Sequence, residues 1–158
     1  MIGTNNMTIK VTKRNGDSQE FDLEKVHKVL EWATDGISGV SMSEIELKSN
    51  IQLYDKIPAY DIHELLIKSA SELISEHTPN YQFVAARLIS YKLRKEVYGE
   101  YTPWSLNKLI AYNVSSGVYD AGILEKYTEE ELNELGSYIK HEGDDTFTYA
   151  CMKQVSGK

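Results

Sequence analysis

The chain has 158 residues, 41% of them apolar and 26% charged, which suits one domain or a domain of roughly 100 residues with an appendage. A net charge of −7 argues against a general DNA- or RNA-binding surface, and no apolar run approaches the ~20 residues that span a bilayer. A single cysteine, Cys151, leaves no partner for a disulfide within the chain, and Met1-Ile2-Gly3-Thr4-Asn5-Asn6 lacks the basic and apolar stretches of a secretory signal, so a cytoplasmic setting is expected.

Residues 8–21 read as a β-hairpin. Ile9 and Val11 alternate with Lys10 and Thr12, and Asn15-Gly16 supplies the two left-handed positions of a type I′ turn. Asp22 then stands where an N-cap belongs, with Leu23, Val26, Leu30 and Ala33 following at helical spacing up to a stop near Asp35-Gly36. Ser41 and Glu44 have the spacing of a capping box, opening a helix with Ile45 and Ile51 inward that ends near Tyr54. A third helix opens at Asp61, with Ile62, Leu65, Leu66, Ser69, Ala70 and Leu73 as its apolar stripe. Thr78-Pro79 restarts the chain with Pro79 at the first helical position, and Tyr81, Val84, Ala85, Leu88 and Tyr91 face inward until Gly99.

Four amphipathic helices and one hairpin sharing a core predict a mainly α fold, a four-helix bundle capped by a short β-sheet, over residues 8–99. Thr102-Pro103 marks a boundary, and residues 100–158 read as a smaller helical segment. It holds helices over Trp104 to Val114 and Ala121 to Tyr127, one opened by Thr128-Glu129-Glu130-Glu131 with Leu132, Leu135 and Ile139 inward, and a last start at Phe147-Thr148-Tyr149-Ala150. The chain stops at Gly157-Lys158 without a closing element, as a fragment or split product would. Its charge is uneven: between Asp120 and Asp145 nine acids face only Lys126 and Lys140, while the remainder balances 15 acids with 15 bases. An acidic body with cations at chosen points suits a small anionic ligand better than a polyanion.

Lys13, Arg14 and Lys25 lie within one short stretch around a turn and a helix N-terminus. Free N–H groups and the helix dipole favour negative charge there, so a polyphosphate is a natural guest. The plain alternative is that these are solvated hairpin charges. Neighbours on an ideal strand point to opposite faces, so Lys13 and Arg14 converge only if the turn twists between them. Arg87 and Arg94, seven apart, share a face of the fourth helix, and Lys95 turns toward the Tyr91 side; taken alone, they read as a solvated helix end. His27, His63, His77 and His141 have no metal-ligand spacing with one another or with Cys151, which reads as packing. His63 and the aromatic pair Trp32 and Tyr91 are ligand-contact candidates whose ordinary reading is first-turn surface and core. No Walker motif, G-x-G-x-x-G or nucleophilic triad is present, so the chain reads as a binding module rather than a complete enzyme.

Val11-Thr12-Lys13-Arg14-Asn15-Gly16 with Phe21-Asp22-Leu23-Glu24-Lys25-Val26 resembles the ATP-cone signature, a V-x-K-R-[DN]-G hairpin followed by a capped helix. Asp61-Ile62-His63-Glu64, Tyr81-Gln82-Phe83-Val84-Ala85-Ala86-Arg87-Leu88, Leu93-Arg94-Lys95-Glu96-Val97-Tyr98-Gly99 and Thr146-Phe147-Thr148-Tyr149-Ala150 extend the resemblance to the N-terminus of the large (α) subunit of bacterial and phage class I ribonucleoside-diphosphate reductases. The resemblance implies an allosteric switch in which ATP, with Mg2+, sustains activity and dATP shuts it down by changing how α and β subunits assemble. Lys13, Arg14 and Lys95 would hold the phosphates. Gln19, Glu20, Phe21, Asp22, Leu23, Glu24 and Lys25 would wrap base and sugar, with His63 close by. Trp32 and Tyr91 fall at positions linked to a second nucleotide in some members, and Ser43 to Lys48 would face the β subunit. Ala59 stands where relatives often carry a threonine that reaches the phosphates, and Gln19 replaces a common glutamate. The reductase cysteines and α/β barrel would lie beyond this chain. A stand-alone nucleotide sensor and a helical interaction module with a degenerate cone remain as alternatives.

Overall fold

The computed structural model describes residues 8–156, which divide into two compact units: the chain up to Lys92 together with the stretch from Thr146 onward, and Leu93–Asp145. The first unit contains β1 (Lys10–Thr12), β2 (Ser18–Glu20), α1 (Leu23–Thr34), α2 (Met42–Ile51), β3 (Ile57–Pro58), α3 (Ala59–Glu72) and most of α4 (Tyr81–Tyr98). Helices dominate and a three-stranded sheet of order β2-β1-β3 caps them, the mainly α architecture expected.

The hairpin forms in the predicted place with a different turn. Gly16 alone takes a left-handed φ, 86°, and Asn15 does not, so the two-residue type I′ turn is replaced by a three-residue loop, Arg14–Gly16. The Gly16 N–H donates to the Lys13 carbonyl at 3.0 Å and the Lys13 N–H to the Asp17 carbonyl at 2.8 Å, the pattern of a turn closed by a glycine bulge. Asn15 bonds sideways instead, its Oδ1 accepting from the Asp17 N–H at 3.2 Å. The third strand escapes sequence reading because two residues ending in proline carry no period. β3 runs parallel to β1, with Ile57 opposite Val11 and Pro58 opposite Thr12.

Asp22 caps α1 by accepting from the Glu24 N–H at 3.1 Å, and Val26, Leu30 and Ala33 are buried. Leu23, expected to join them, lies half in solvent because it opens the helix beside the exposed strand β2. α2 ends at Ile51, which is 77% exposed; Ile45 and the small Ser49 make its inner face. α3 begins two residues before Asp61, directly after β3, and buries Leu66, Ile67, Ser69 and Ala70, while Ile62, Leu65 and Leu73 are only half-buried. Pro79 lies two residues before α4, and its carbonyl accepts from the Gln82 N–H at 3.1 Å; it does not occupy the first helical position. α4 buries Tyr81, Val84, Ala85, Ala86, Leu88, Ile89 and Ser90, too many for one stripe; it is the central strut of this unit.

Its polar tips tie that strut to its neighbours. Arg87 donates to the Asp35 carbonyl at 2.7 Å, closing the end of α1. The capping box predicted at Ser41 is not reciprocal: Ser41 Oγ accepts from the Glu44 N–H, but the Ser41 N–H donates to Tyr81 Oη at 2.8 Å, and that hydroxyl donates to Glu44 Oε2 at 2.8 Å. A buried tyrosine is thus inserted into the cap.

α8 (Tyr149–Val155) completes the first unit, with Met152 buried and Cys151 exposed, so the packing role expected for Cys151 passes to its neighbour. The second unit holds the end of α4, α5 (Leu106–Ser115), α6 (Gly122–Lys126), α7 (Glu129–Ser137) and most of a 3-10 turn over His141–Thr146. Thr128 and Glu131 form the full capping box of α7. Leu132 is buried, whereas Leu135 and Ile139 are exposed, because the short α7 meets α5 along one narrow face. Gly136 permits that approach, since a Cβ there would stand 3.2 Å from the Leu106 Cβ. Arg94 is no solvated helix end: it is 11% exposed and its guanidinium pairs with Asp144 at 3.0 Å.

Burial raises the Tyr81 phenol above its ordinary pKa, with Glu44 opposing ionisation as well, so the relay carries its proton throughout the neutral range. Tyr81→Phe removes it and is expected to cost about 1–2 kcal/mol in urea denaturation with helix content unchanged. A raised folded pKa means stability is level below about pH 10 and falls above it; the phenylalanine variant should show a shallower fall.

Candidate nucleotide-binding site

β1 ends at Thr12, so Lys13 and Arg14 belong to the turn and the alternation of a pleated strand does not separate them. Both are exposed. The parallel register sets Thr12 beside Pro58, so the chain leaves the sheet at Lys13 on one strand and at Ala59 on its neighbour. Three bonds lock this junction: the Lys10 N–H to Asp55 Oδ1 at 2.9 Å, the Lys56 N–H to the Lys10 carbonyl at 2.9 Å, and Thr12 Oγ1 to the Lys56 carbonyl at 3.1 Å. Lys56 itself takes a left-handed φ of 63°, an uncommon conformation for a lysine that turns the chain into β3.

Pro58 occupies the N-cap of α3 and makes no side-chain cap hydrogen bond. The first turn of α3, unlike that of α1 or α2, therefore has no N-cap side chain bound to its backbone N–H groups. A cationic turn beside an uncapped helix start is an arrangement that favours an anion. Ala59 is the first residue of that helix and is half-buried.

Gln19 and Glu20 are exposed on β2, Phe21 is half-buried with its N–H donating to the Ile9 carbonyl at 2.8 Å, and Asp22 is committed to the α1 cap. Lys25 approaches Asp22 at 3.8 Å as an exposed pair of little energetic weight. Leu23 and Glu24 line a shallow cleft of about 400 Å³ with His27, Lys28, Glu31 and Glu46.

His63, one turn into α3, is half-buried, its ring 5.4 Å from that of Tyr91; the Trp32 ring lies 6.1 Å from that of Tyr91. The three rings form a chain across α1, α4 and α3. Burial raises the Tyr91 phenol pKa. Lys95 is half-buried on the last turn of α4, within the second unit. Sequence reasoning missed Lys92, whose ammonium binds the Glu64 carboxylate and lies 4.4 Å from the Tyr60 ring centre. A Lys on a mostly buried helix was the available signal. Among the described residues, no three His, Cys, Asp or Glu side chains are arranged to hold a metal ion, and no helix is long and apolar enough to cross a membrane.

A helical bundle with a small sheet and a cationic turn at a helix start has the form of a nucleotide-binding domain, and comparison with known proteins gives that form a family. Residues 9–96 match the ATP cone domain, and the chain belongs to that family. It is also similar to ribonucleoside-diphosphate reductase 1 subunit alpha of Escherichia coli, at 46% identity over 153 residues, covering 97% of this chain and 20% of that protein. The corresponding alpha subunit of Enterobacteria phage T4 is 45% identical over 152 residues, 95% of this chain and 20% of the relative. That of Helicobacter pylori is 39% identical over 147 residues. The chain thus spans about a fifth of the length of these curated relatives.

Gly16 can be tested as the hinge of the turn. Nothing lies within 4 Å of an added Cβ, so Gly16→Ala meets only backbone strain, expected to cost about 1 kcal/mol in chemical denaturation. Amide exchange should quicken in residues 12–18 and stay unchanged in α3.

Proposed function

We propose that this chain is the ATP- and dATP-binding regulatory region of a ribonucleoside-diphosphate reductase alpha subunit, without the active site. The observation that carries the reading is the parallel β1–β3 pairing, which sets the uncapped start of α3 beside the turn bearing Lys13 and Arg14. Membership of the ATP-cone family and the match along 97% of the chain to one alpha subunit support it.

In this reading residues 8–99 form the nucleotide domain and residues 100–158 lead into a catalytic barrel. Lys13, Arg14 and Lys95 grip the phosphates, while Gln19 to Lys25, from β2 into α1, wrap base and sugar. His63 closes the pocket from α3. The Trp32–Tyr91 pair is the place for a second nucleotide. Mg2+ would arrive on the triphosphate, since a hard cation of this kind needs few protein ligands when phosphate oxygens supply the rest. The protein works in the cytoplasm of a bacterium or phage-infected cell, and the segment Ser43 to Lys48 meets a β subunit. Regulation follows only if ATP and dATP differ in affinity for two assembly states.

Charge-assisted hydrogen bonds contribute roughly 1.5–3 kcal/mol each, so three or four supply about 4.5–12 kcal/mol, a range centred on micromolar affinity. Calorimetry with ATP and dATP should show a saturable site that Lys13→Ala or Lys95→Ala abolishes. Absence of heat with either nucleotide would replace this reading with a helical interaction module. Ala59 leaves the first position of α3 without a side-chain hydroxyl; Ala59→Thr is expected to tighten ATP binding by about threefold to tenfold, the worth of one neutral hydrogen bond.

A further inference from the structure

We propose that Lys92 is a positioning residue for the triphosphate, acting by clamping the first turn of α3 to α4 through Tyr60 and Glu64. This rests on the nucleotide reading above and deepens it, because it concerns how the phosphate-facing turn is held.

The first turn of α3 needs a holder. Pro58 supplies no side-chain cap; the bonds at Lys10, Thr12 and Lys56 fix the chain before it, and within the turn the Tyr54 hydroxyl donates to Asp61 Oδ2 at 3.3 Å, an exposed contact. From the other side, consecutive residues of α4 grip consecutive residues of α3: Tyr91 sets its ring against His63, and Lys92 binds the carboxylate of Glu64. Lys92 also spans back to residue two of the helix, its ammonium 4.4 Å from the Tyr60 ring centre.

The side chain of Lys92 is only 16% exposed while that of Glu64 is 45% exposed, so the cation is largely withdrawn from water and the acid is not. A mostly buried ammonium without its partners carries a heavy desolvation cost. Burial acting on Lys92 favours the neutral amine, and the contacts with Glu64 and Tyr60 more than reverse this, raising its pKa. The clamp therefore stays charged at neutral pH. Tyr60 and Asp61 lie inside the stretch that the clamp spans and Ala59 immediately precedes it, so the backbone N–H groups of this first turn depend on the clamp for their place.

The intact chain, titrated calorimetrically with ATP and with inorganic triphosphate well below its unfolding midpoint, tests the inference. Lys92→Met keeps the length and removes the charge; it should weaken both ligands on the order of tenfold. Lys92→Arg retains charge and ring contact and should stay within about twofold of wild type. Tyr60→Leu leaves the Glu64 pair intact and should weaken both ligands by about threefold, and it decides the matter if Lys92→Met fails to fold. Unchanged affinity in Lys92→Met, or an arginine variant as weak as the methionine one, overturns the clamp while leaving the nucleotide reading standing. A wild type that binds neither ligand removes both.

Discussion

Two backbone-paired residues, Ile57 and Pro58, set where the candidate site lies. Their parallel register with Val11 and Thr12 makes the start of α3 a continuation of the sheet, next to the turn that follows β1. Ile57 is fully buried, so sliding the register by one step would turn it to solvent and bring the exposed Pro58 to the core face. Proline at the helix entrance suits both sides of the junction. It cannot donate to a further strand, and its fixed φ leads the chain into the first helical turn.

The same proline leaves the helix start without a polar cap, a cost that α1, α2, α5, α7 and α8 all avoid with Asp22, Ser41, Ser105, Thr128 and Thr148. Only the five-residue α6, with Ala121 at its N-cap, shares this lack, so among the longer helices with a defined N-cap the α3 start is the exception, and such local inconsistencies concentrate where a protein binds something. Here the neighbouring cations make the nature of the guest chemically narrow: only a multiply charged anion gains from all of these groups at once.

Long periodic features were readable from the residues alone, and junctions were not. Val26, Leu30 and Ala33 on α1, and Tyr81, Val84, Ala85 and Leu88 on α4, repeat at helical spacing and are buried as that spacing predicts. Asp22, Ser41 and Thr128 announce helix starts through local chemistry and do cap them. β3 is too short to have a period, so the register that organises the candidate site stayed invisible. Ile51, Leu135 and Ile139 failed as core residues because helical periodicity says which residues share a face, not how far a neighbouring helix extends over it. The Tyr81 relay and the Lys92 clamp were out of reach for the same reason. Each depends on a partner more than 25 residues away, Glu44 and Glu64, that only tertiary packing selects.

α4 shows how one helix serves packing and polar connection together. Its apolar residues fill the middle of the first unit, and at successive levels Tyr81, Arg87, Tyr91 and Lys92 reach out to α2, α1 and α3. Those contacts are satisfied hydrogen bonds, ion pairs and ring contacts, each geometrically demanding, so the three helices cannot shift independently of α4. Leu47 and Ile51 meanwhile expose one apolar face of α2, four residues apart, at the far end of the helix whose start is held by the Tyr81 relay. Under the proposed regulatory reading, a ligand that moved the start of α3 would act on α2 through this strut and also directly, because Lys48 on α2 pairs with Glu72 on α3 at 3.2 Å. Packed interiors deform in discrete steps rather than continuously, so such an arrangement transmits a change of state better than a gradual strain.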